Sequence, residues 1–297
     1  MLRQKILRKI YITTLIVFVL FVITSFTTNK SISNVKVEYQ TNLSSIYLLD
    51  DNNYLLKVNI SVTNNLEDNI PIIINNLKDN NKLYSGLKGL IPADTKINEW
   101  KLNDGILTID FSDSLLNVND ELKEKVIESI VFSLINFNEI NGVKITINKK
   151  PINKIINNLD NILTKDLGIN KEYDITKKDN IKRVVLYYYE EKNNNKYYVP
   201  VTKYVNSNDD KIKIIIDNLK TNYLVKTNLL SYLNDKVDIE NYEIINNIVT
   251  ISFASIMDFD NENILEEVIY TLSNSIIESD IATQVIFMKD DQIIAVK

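Results

Sequence analysis

Slid along itself by 142 positions, the sequence matches itself without a gap, and this limits what it can fold into more than any other property of the chain. Ile70–Lys78 falls on Ile212–Lys220, Ile106–Phe111 on Ile248–Phe253, Val126-Ile127 on Val268-Ile269, and Val143 on Val285. Over residues 70–145 there are 21 identities in 76 positions, and most substitutions in the periodic segments exchange one apolar residue for another. Biased composition raises chance matches but does not hold one register through strands, turns and helices. A period this long is too large for a solenoid unit, so the chain is read as two tandem domains of one fold.

Periodicities inside each copy agree with that reading. Trp100, Leu102, Leu107, Ile109 and Phe111 alternate with polar residues around Asp104-Gly105, which predicts a hairpin with one buried face and a type I′ turn. Tyr242, Ile244, Val249, Ile251 and Phe253 repeat it around Asn246-Asn247, a pair that tolerates positive φ. A helical stripe follows each hairpin: Leu122, Val126, Ile127, Ile130, Leu134 and Ile135, then Ile264, Val268, Ile269, Leu272, Ile276 and Ile277. Earlier helices are expected near Asn69-Ile70-Pro71, with proline in the first turn, and near Asp210. Closing strands are expected at about 143–148 and 284–289. Each copy therefore reads as β(β)αββαβ, an α+β fold with helices on one face of a mostly antiparallel sheet.

Residue chemistry excludes much. The chain has 297 residues, no Cys and no His. Disulfides, thiol catalysis, cysteine lipidation, His/Cys zinc sites and every triad with an imidazole base are thereby removed. Five glycines leave no Gly-rich phosphate cradle. No catalytic residue, metal ligand or cofactor-binding residue is assigned, no cofactor is expected, and a small-molecule ligand is not expected.

One segment reads as a membrane anchor. Ile10–Asn29 carries no charge over 20 residues, and at about 1.5 Å per residue it would span a bilayer core of about 30 Å. Arg3, Lys5, Arg8 and Lys9 precede it, which places the N-terminus in the cytoplasm and everything after Lys30 outside. A cleaved signal peptide fits less well, because Thr24–Thr28 is a poor cleavage site. The first thirty residues hold five bases and no acid, so the formal net charge of −5 becomes −10 for the remainder. An acidic ectodomain is a poor match for phosphate backbones, and no nucleic-acid partner is expected.

Leu90-Ile91-Pro92-Ala93-Asp94-Thr95-Lys96-Ile97, the turn Asp104-Gly105 and Thr108-Ile109-Asp110-Phe111-Ser112 together resemble the GerMN-domain family, and Phe137–Lys149 resembles its closing strand. Leu163–Asn170 is similar to the stretch between domains in members that carry two. Copy two lacks the Pro and Gly of the motif. With the anchor above, the expected layout is 1–30 as cytoplasmic stub and transmembrane helix, and the resemblance adds 43–150 as a first GerMN-like domain, 151–182 as linker and 183–297 as a divergent second one. It also implies a non-enzymatic protein on the outer face of a sporulating cell's membrane, which joins envelope or channel-complex proteins through modules similar to ring-building domains. Its loss would affect spore cortex and germination. Family members of this kind are tethered through a lipidated cysteine, which this chain lacks, and the apolar helix would serve instead. Two other readings stay open: a carboxylate-dependent cell-wall hydrolase or glycan binder, and a general envelope protein without a sporulation role.

Asp258–Glu262 spaces carboxylates like a calcium loop but lacks its Gly and its twelfth-position Glu, so helix caps are expected. Asp50-Asp51, Asp209-Asp210 and Asp290-Asp291 lie in polar turns, where solvated loops are expected rather than the acid and base of a glycosidase. Trp100, the only Trp, is expected to pack in the core where Tyr242 stands in copy two. Tyr187, Tyr188, Tyr189, Tyr197 and Tyr198 flank Asn193–Asn195 in an aromatic hairpin. Consecutive residues point to both faces of a strand, so the rings are expected to pack across the hairpin, with the alternative that one set is exposed as a partner surface.

Overall fold

The computed structural model describes residues 42–297 apart from 81–83, 85, 221–228, 234–236 and 255–261. The described portion forms one compact unit, Asn42–Lys297. Its first copy runs β1 (Asn42–Leu49), β2 (Leu55–Val62), α1 (Leu66–Asn76), β3 (Ile97–Asn103), β4 (Ile106–Phe111), α2 (Asp120–Leu134), β5 (Gly142–Ile147) and β6 (Lys150–Pro151). After β7 (Glu172–Asp174) the second copy repeats the order: β8 (Ile181–Lys192), β9 (Asn195–Asn206), α3 (Lys211–Lys220), β10 (Ile239–Ile245), β11 (Ile248–Phe253), α4 (Glu262–Glu278), β12 (Gln284–Lys289) and β13 (Gln292–Val296).

The expected single sheet per copy is instead two. Each copy builds its own four-stranded sheet, β3-β4-β5-β6 and β10-β11-β12-β13, and contributes its opening hairpin to a five-stranded sheet shared by both. In the shared sheet β2 meets β9 at Lys57 and Tyr198, β7 runs parallel to β9, and β1 and β8 pair with β2 and β9. The private sheets are mixed: β4/β5 and β11/β12 are parallel, with matching registers from Ile106 opposite Gly142 and from Ile248 opposite Gln284. A helical crossover between consecutive strands of one sheet returns the chain in the same direction, so α2 and α4 dictate those parallel pairs.

Positions 104–105 and 246–247 have positive φ at both residues, as type I′ turns require. Positions 148–149, 193–194 and 290–291 do the same, and of the residues involved only Gly105 is glycine. Asn and Asp accept the left-handed region through their short polar side chains, and that is how a chain with five glycines closes five tight hairpins. Helix α1 begins earlier than expected, because the Asn65 side chain accepts the Glu67 N–H as its cap. Pro71 therefore lies inside the helix, not in its first turn.

The helical stripes face inward. Val126, Ile127, Ile130 and Leu134 are buried in α2, and Val268, Ile269, Leu272 and Ile276 in α4. The ends emerge: Leu122 is half-buried and Ile264 exposed in the first turns, and Ile135 and Ile277 at the far ends are half-buried. Both helices also close an open strand edge. Ser133 Oγ accepts the Tyr47 N–H at 3.1 Å and Ser129 Oγ donates to the Tyr47 carbonyl at 2.7 Å, while Ser275 and Ser279 accept from Tyr187 and Val185 at 2.9 and 2.8 Å. Unpaired β1 and β8 groups thus find side-chain partners, which removes them as templates for stray pairing. The stretch expected as a linker, 151–182, is built into the unit. Ile152, Leu163, Ile169 and Asn170 are buried, Leu163 bridges to Val143, and β7 joins the shared sheet.

No helix among the described residues is long and apolar enough to cross a membrane. The expected span Ile10–Asn29 lies outside the described residues, as does the calcium-like stretch Asp258–Asn261.

Candidate interaction surface

The tyrosine hairpin does not present the rings the sequence suggested. Tyr187 and Tyr188 are 0% and 3% exposed and Tyr189 is 9%, so none of the three offers a ring to a partner. Strand β8 is covered on both faces, which a one-face reading of the hairpin did not anticipate. Tyr187 meets Tyr270 of α4 edge to face at 6.3 Å. Tyr188 donates its hydroxyl to the Asn218 carbonyl near the end of α3 at 3.4 Å. Tyr189 stacks on Tyr232 at 4.1 Å, beside the backbone bridge to Leu230. Burial pushes the phenols of Tyr187 and Tyr189 far above their ordinary range.

Tyr197 and Tyr198 are half-buried. Tyr198 stacks on Tyr270 at 4.1 Å and donates its hydroxyl to Glu267, which also pairs with Lys196. The Lys196 ammonium lies 4.9 Å from the Tyr232 ring centre. Between α4 and β13, Tyr198, Glu267 and Tyr270 border a groove of about 570 Å³ with Leu265, Ile269 and Ile294 on its apolar wall and Glu266 and Lys297 at its rim. Ile293, Ile294 and Val296 of β13 are 62%, 38% and 49% exposed, so the groove continues into an apolar strand edge. Large rings and aliphatic groups beside a charged rim are the composition of protein contact surfaces.

The carboxylate pairs have separate fates. Asp51 is exposed and pairs with Lys192 at 2.8 Å. Asp210 accepts the Lys213 N–H at 3.0 Å and caps α3, with Asp209 beside Lys213. Asp290 and Asp291 form the exposed β12–β13 turn. Asp50 is buried and stands within hydrogen-bonding reach of Glu190, which is also buried. That carboxyl pair was invisible in the sequence, because its members lie in different copies. No substrate can reach it, so it is not the acid and base of a hydrolase. Among the described residues no three acidic side chains gather as a metal site requires. Trp100 is half-buried against the core opposite Ile109, and Tyr242 repeats it opposite Ile251, its hydroxyl donating to Asp210 at 2.7 Å.

A second cluster that sequence reasoning missed joins the copies. Asn170 donates its amide to the carbonyls of Leu55 and Pro200, both at 2.9 Å, and accepts the Leu55 N–H at 2.8 Å. Glu128 of α2 accepts the Asn170 N–H at 3.1 Å and pairs with Lys171 and Lys125 at 3.3 and 3.6 Å. The available signal was the Leu163–Asn170 resemblance, which marked the segment without revealing its contacts.

Comparison with known proteins agrees with this architecture. Residues 45–153 match the family model Germane, described as sporulation and spore germination. The spore germination protein GerM of Bacillus subtilis (strain 168) is 26% identical over 193 residues, covering 60% of this chain and 51% of that protein. The match thus spans about half the length of the curated relative. The solved structure of the tandem GerMN domains of the Bacillus subtilis sporulation protein GerM superposes with a TM-score of 0.72 at 23% identity, covering 85% of this chain and 92% of that one. The resemblance to the GerMN family is carried by sequence in copy one, and the tandem fold by structure across both.

Proposed function

We propose that this relative of the GerMN-domain proteins is a membrane-anchored scaffold of the sporulating cell envelope, held outside the membrane and acting through protein contacts. The fusion of two copies through one shared sheet carries this reading, since it makes a rigid body that presents two related but unequal surfaces. A tether at Ile10–Asn29 would hold both near the membrane, and a second contact then gains from effective concentration. Its partners would be envelope or channel-complex proteins. The contact we assign is the groove between α4 and β13, with Tyr198 and Ile294 as its candidate anchors in place of Tyr187–Tyr189 and Tyr197.

Replacing Ile294 by Glu puts an uncompensated charge on the apolar wall without touching the core. Recovery of envelope partners should weaken by about 1–2 kcal/mol per anchor residue, with an unchanged melting temperature. Unaltered co-purification in an Ile294→Glu/Tyr198→Ala variant that melts normally would remove the groove from the proposal. Protease added to intact protoplasts should digest the portion after Lys30, and a protected portion would overturn the assigned side of the membrane. Release of fragments from peptidoglycan by the purified protein would replace the scaffold by a hydrolase.

A further inference from the structure

We propose that Asp50 and Glu190 share one proton and form a pH-sensitive clasp that fastens the β8–β9 hairpin of copy two to the β1–β2 turn of copy one. The two residues occupy the same position in their copies. Asp50 follows Leu49, which bridges to Lys88, and Glu190 follows Tyr189, which bridges to Leu230, and both bridges are antiparallel. Asp50 is 1% and Glu190 4% exposed.

Asp50 spends one oxygen on its own turn, where Oδ1 accepts the N–H groups of Asn52 at 3.0 Å and Tyr54 at 2.6 Å. Its other oxygen, Oδ2, and Oε2 of Glu190 are both buried without a hydrogen-bond partner when both groups are counted as carboxylates. Two buried, unsatisfied acceptors within reach of each other are costly, and two full charges there more so. One proton resolves both problems: Glu190 donates it and Asp50 Oδ2 accepts. Burial first, and then the charge of Asp50, push the Glu190 carboxyl up to about 7.

Other charged groups nearby do not cancel this. Among the described residues, Asp51 of the same turn adds repulsion, and Lys192 of the hairpin opposes it while bound to Asp51 at 2.8 Å. Lys88 acts on Asp51 from the adjoining loop. Tyr197 pairs across the strand with Glu190, and Tyr84 of the loop stands beside Tyr197. With no histidine in the chain, imidazole cannot supply a response near neutral pH, and a proton-sharing carboxyl pair can.

The sign follows from linkage. Glu190 is raised above its ordinary 4.5, so its stabilising effect is complete below 4.5 and is lost as pH rises through about 7. Opening the clasp releases the proton to solvent. The opening equilibrium should therefore rise about tenfold per pH unit between those two values and level off above. Hydrogen exchange in the detergent-solubilised full chain reads this at the Tyr54 and Leu49 amides, after correction for the intrinsic base-catalysed rate. In Glu190→Gln the amide donates to Asp50 at every pH, so the corrected opening should become independent of pH. Asp50→Asn, donating in the other direction, should do the same and serves if the first variant fails to fold. In the unaltered chain, the infrared band of a protonated carboxyl should fade as pH passes about 7. Corrected protection that is flat with pH in the unaltered chain, or a missing carboxyl band below neutral pH, overturns the clasp.

Discussion

At equivalent positions of equivalent helices, copy one has Glu128 and copy two has Tyr270, and each reaches beyond its own copy, the first to the connecting segment and the second to the other copy. Glu128 takes hold of the connecting segment through the Asn170 N–H, Lys125 and Lys171. Tyr270 instead stacks on Tyr198 of its own copy and accepts from the Lys57 ammonium of copy one at 3.3 Å. Burial works against the charge of Lys171, yet its hydrogen bond to Glu124 and its attraction to both carboxylates outweigh that, and its pKa is raised. Lys125 is lowered, chiefly by burial. The repeat preserves where contact is made while its chemistry moves from an ionic knot to an aromatic stack.

That contrast can be broken at Glu128. Glu128→Ala leaves Lys125, Lys171 and the Asn170 N–H without their common partner, and a buried ion pair that loses one member costs about 3–5 kcal/mol. Tyr270→Phe keeps the ring and removes only a hydroxyl beside a half-buried lysine, so a loss below about 1 kcal/mol is expected. Urea unfolding of the two variants measures both. Equal losses would mean that the ionic knot contributes no more than the Tyr270 hydroxyl.

A second contrast lies at the ends of the matched strands β4 and β11. Asp110 is buried and accepts from Thr146 at 2.5 Å, from the Lys149 N–H at 2.7 Å and from Asn98 at 2.8 Å. Its counterpart Ser252 is half-buried, and the counterparts of Asn98, Thr146 and Lys149 are Glu240, Met288 and Asp291. Asp110→Ala is therefore expected to cost about 1–3 kcal/mol, and Ser252→Ala less than about 0.5. Burial opposes the Asp110 charge, but the hydrogen bonds from Thr146, Asn98 and Lys149 hold its carboxyl below the usual range. Its stabilising effect is thus present above the ordinary 3.8 and is lost as pH falls through the lower folded value. Acid unfolding of Asp110→Asn beside the unaltered chain checks the sign. A steeper acid response in the variant would refute it.

What was legible follows the range over which each signal acts. Strand alternation, helical stripes and I′ turns are local, and the structure places them where the periodicity did, from Trp100–Phe111 to Ile248–Phe253, except that Ile244, expected on the buried face, is 50% exposed beside the β10–β11 turn. The duplication was legible because one offset held over 76 positions. The shared sheet was not, since β2 and β9 meet at Lys57 and Tyr198, and no periodicity within either strand records a partner in the other copy. For the same reason the alternative of exposed rings at Tyr187–Tyr189 could not be settled in the sequence: alternation reports two faces, while covering both of them is a property of α3, α4 and the segment around Leu230. Asp50 reads as a solvated turn residue, yet it is buried beside Glu190 of the other copy, which no local pattern records.

The smallest effect we expect comes from the one place where the two closing hairpins differ in turn chemistry. Copy two turns through Asp290-Asp291, both at positive φ, and copy one through Asn148-Lys149. Lys149, at φ 69°, is the only residue other than Asn, Asp or Gly with positive φ among the described residues. A side chain without a short polar group costs about 1–2 kcal/mol in the left-handed region, and Asn recovers part of it. Lys149→Asn keeps the N–H that Asp110 accepts but loses the lysine's attraction for that carboxylate. Because Lys149 is exposed, that attraction is worth less than about 1 kcal/mol. The strain is the larger quantity, so the variant should gain about 0.5 kcal/mol, and Asp291→Lys should lose about as much in copy two. Thermal melts of both variants decide it: if Lys149→Asn lowers the melting temperature, the charge on Asp110 outweighs the backbone.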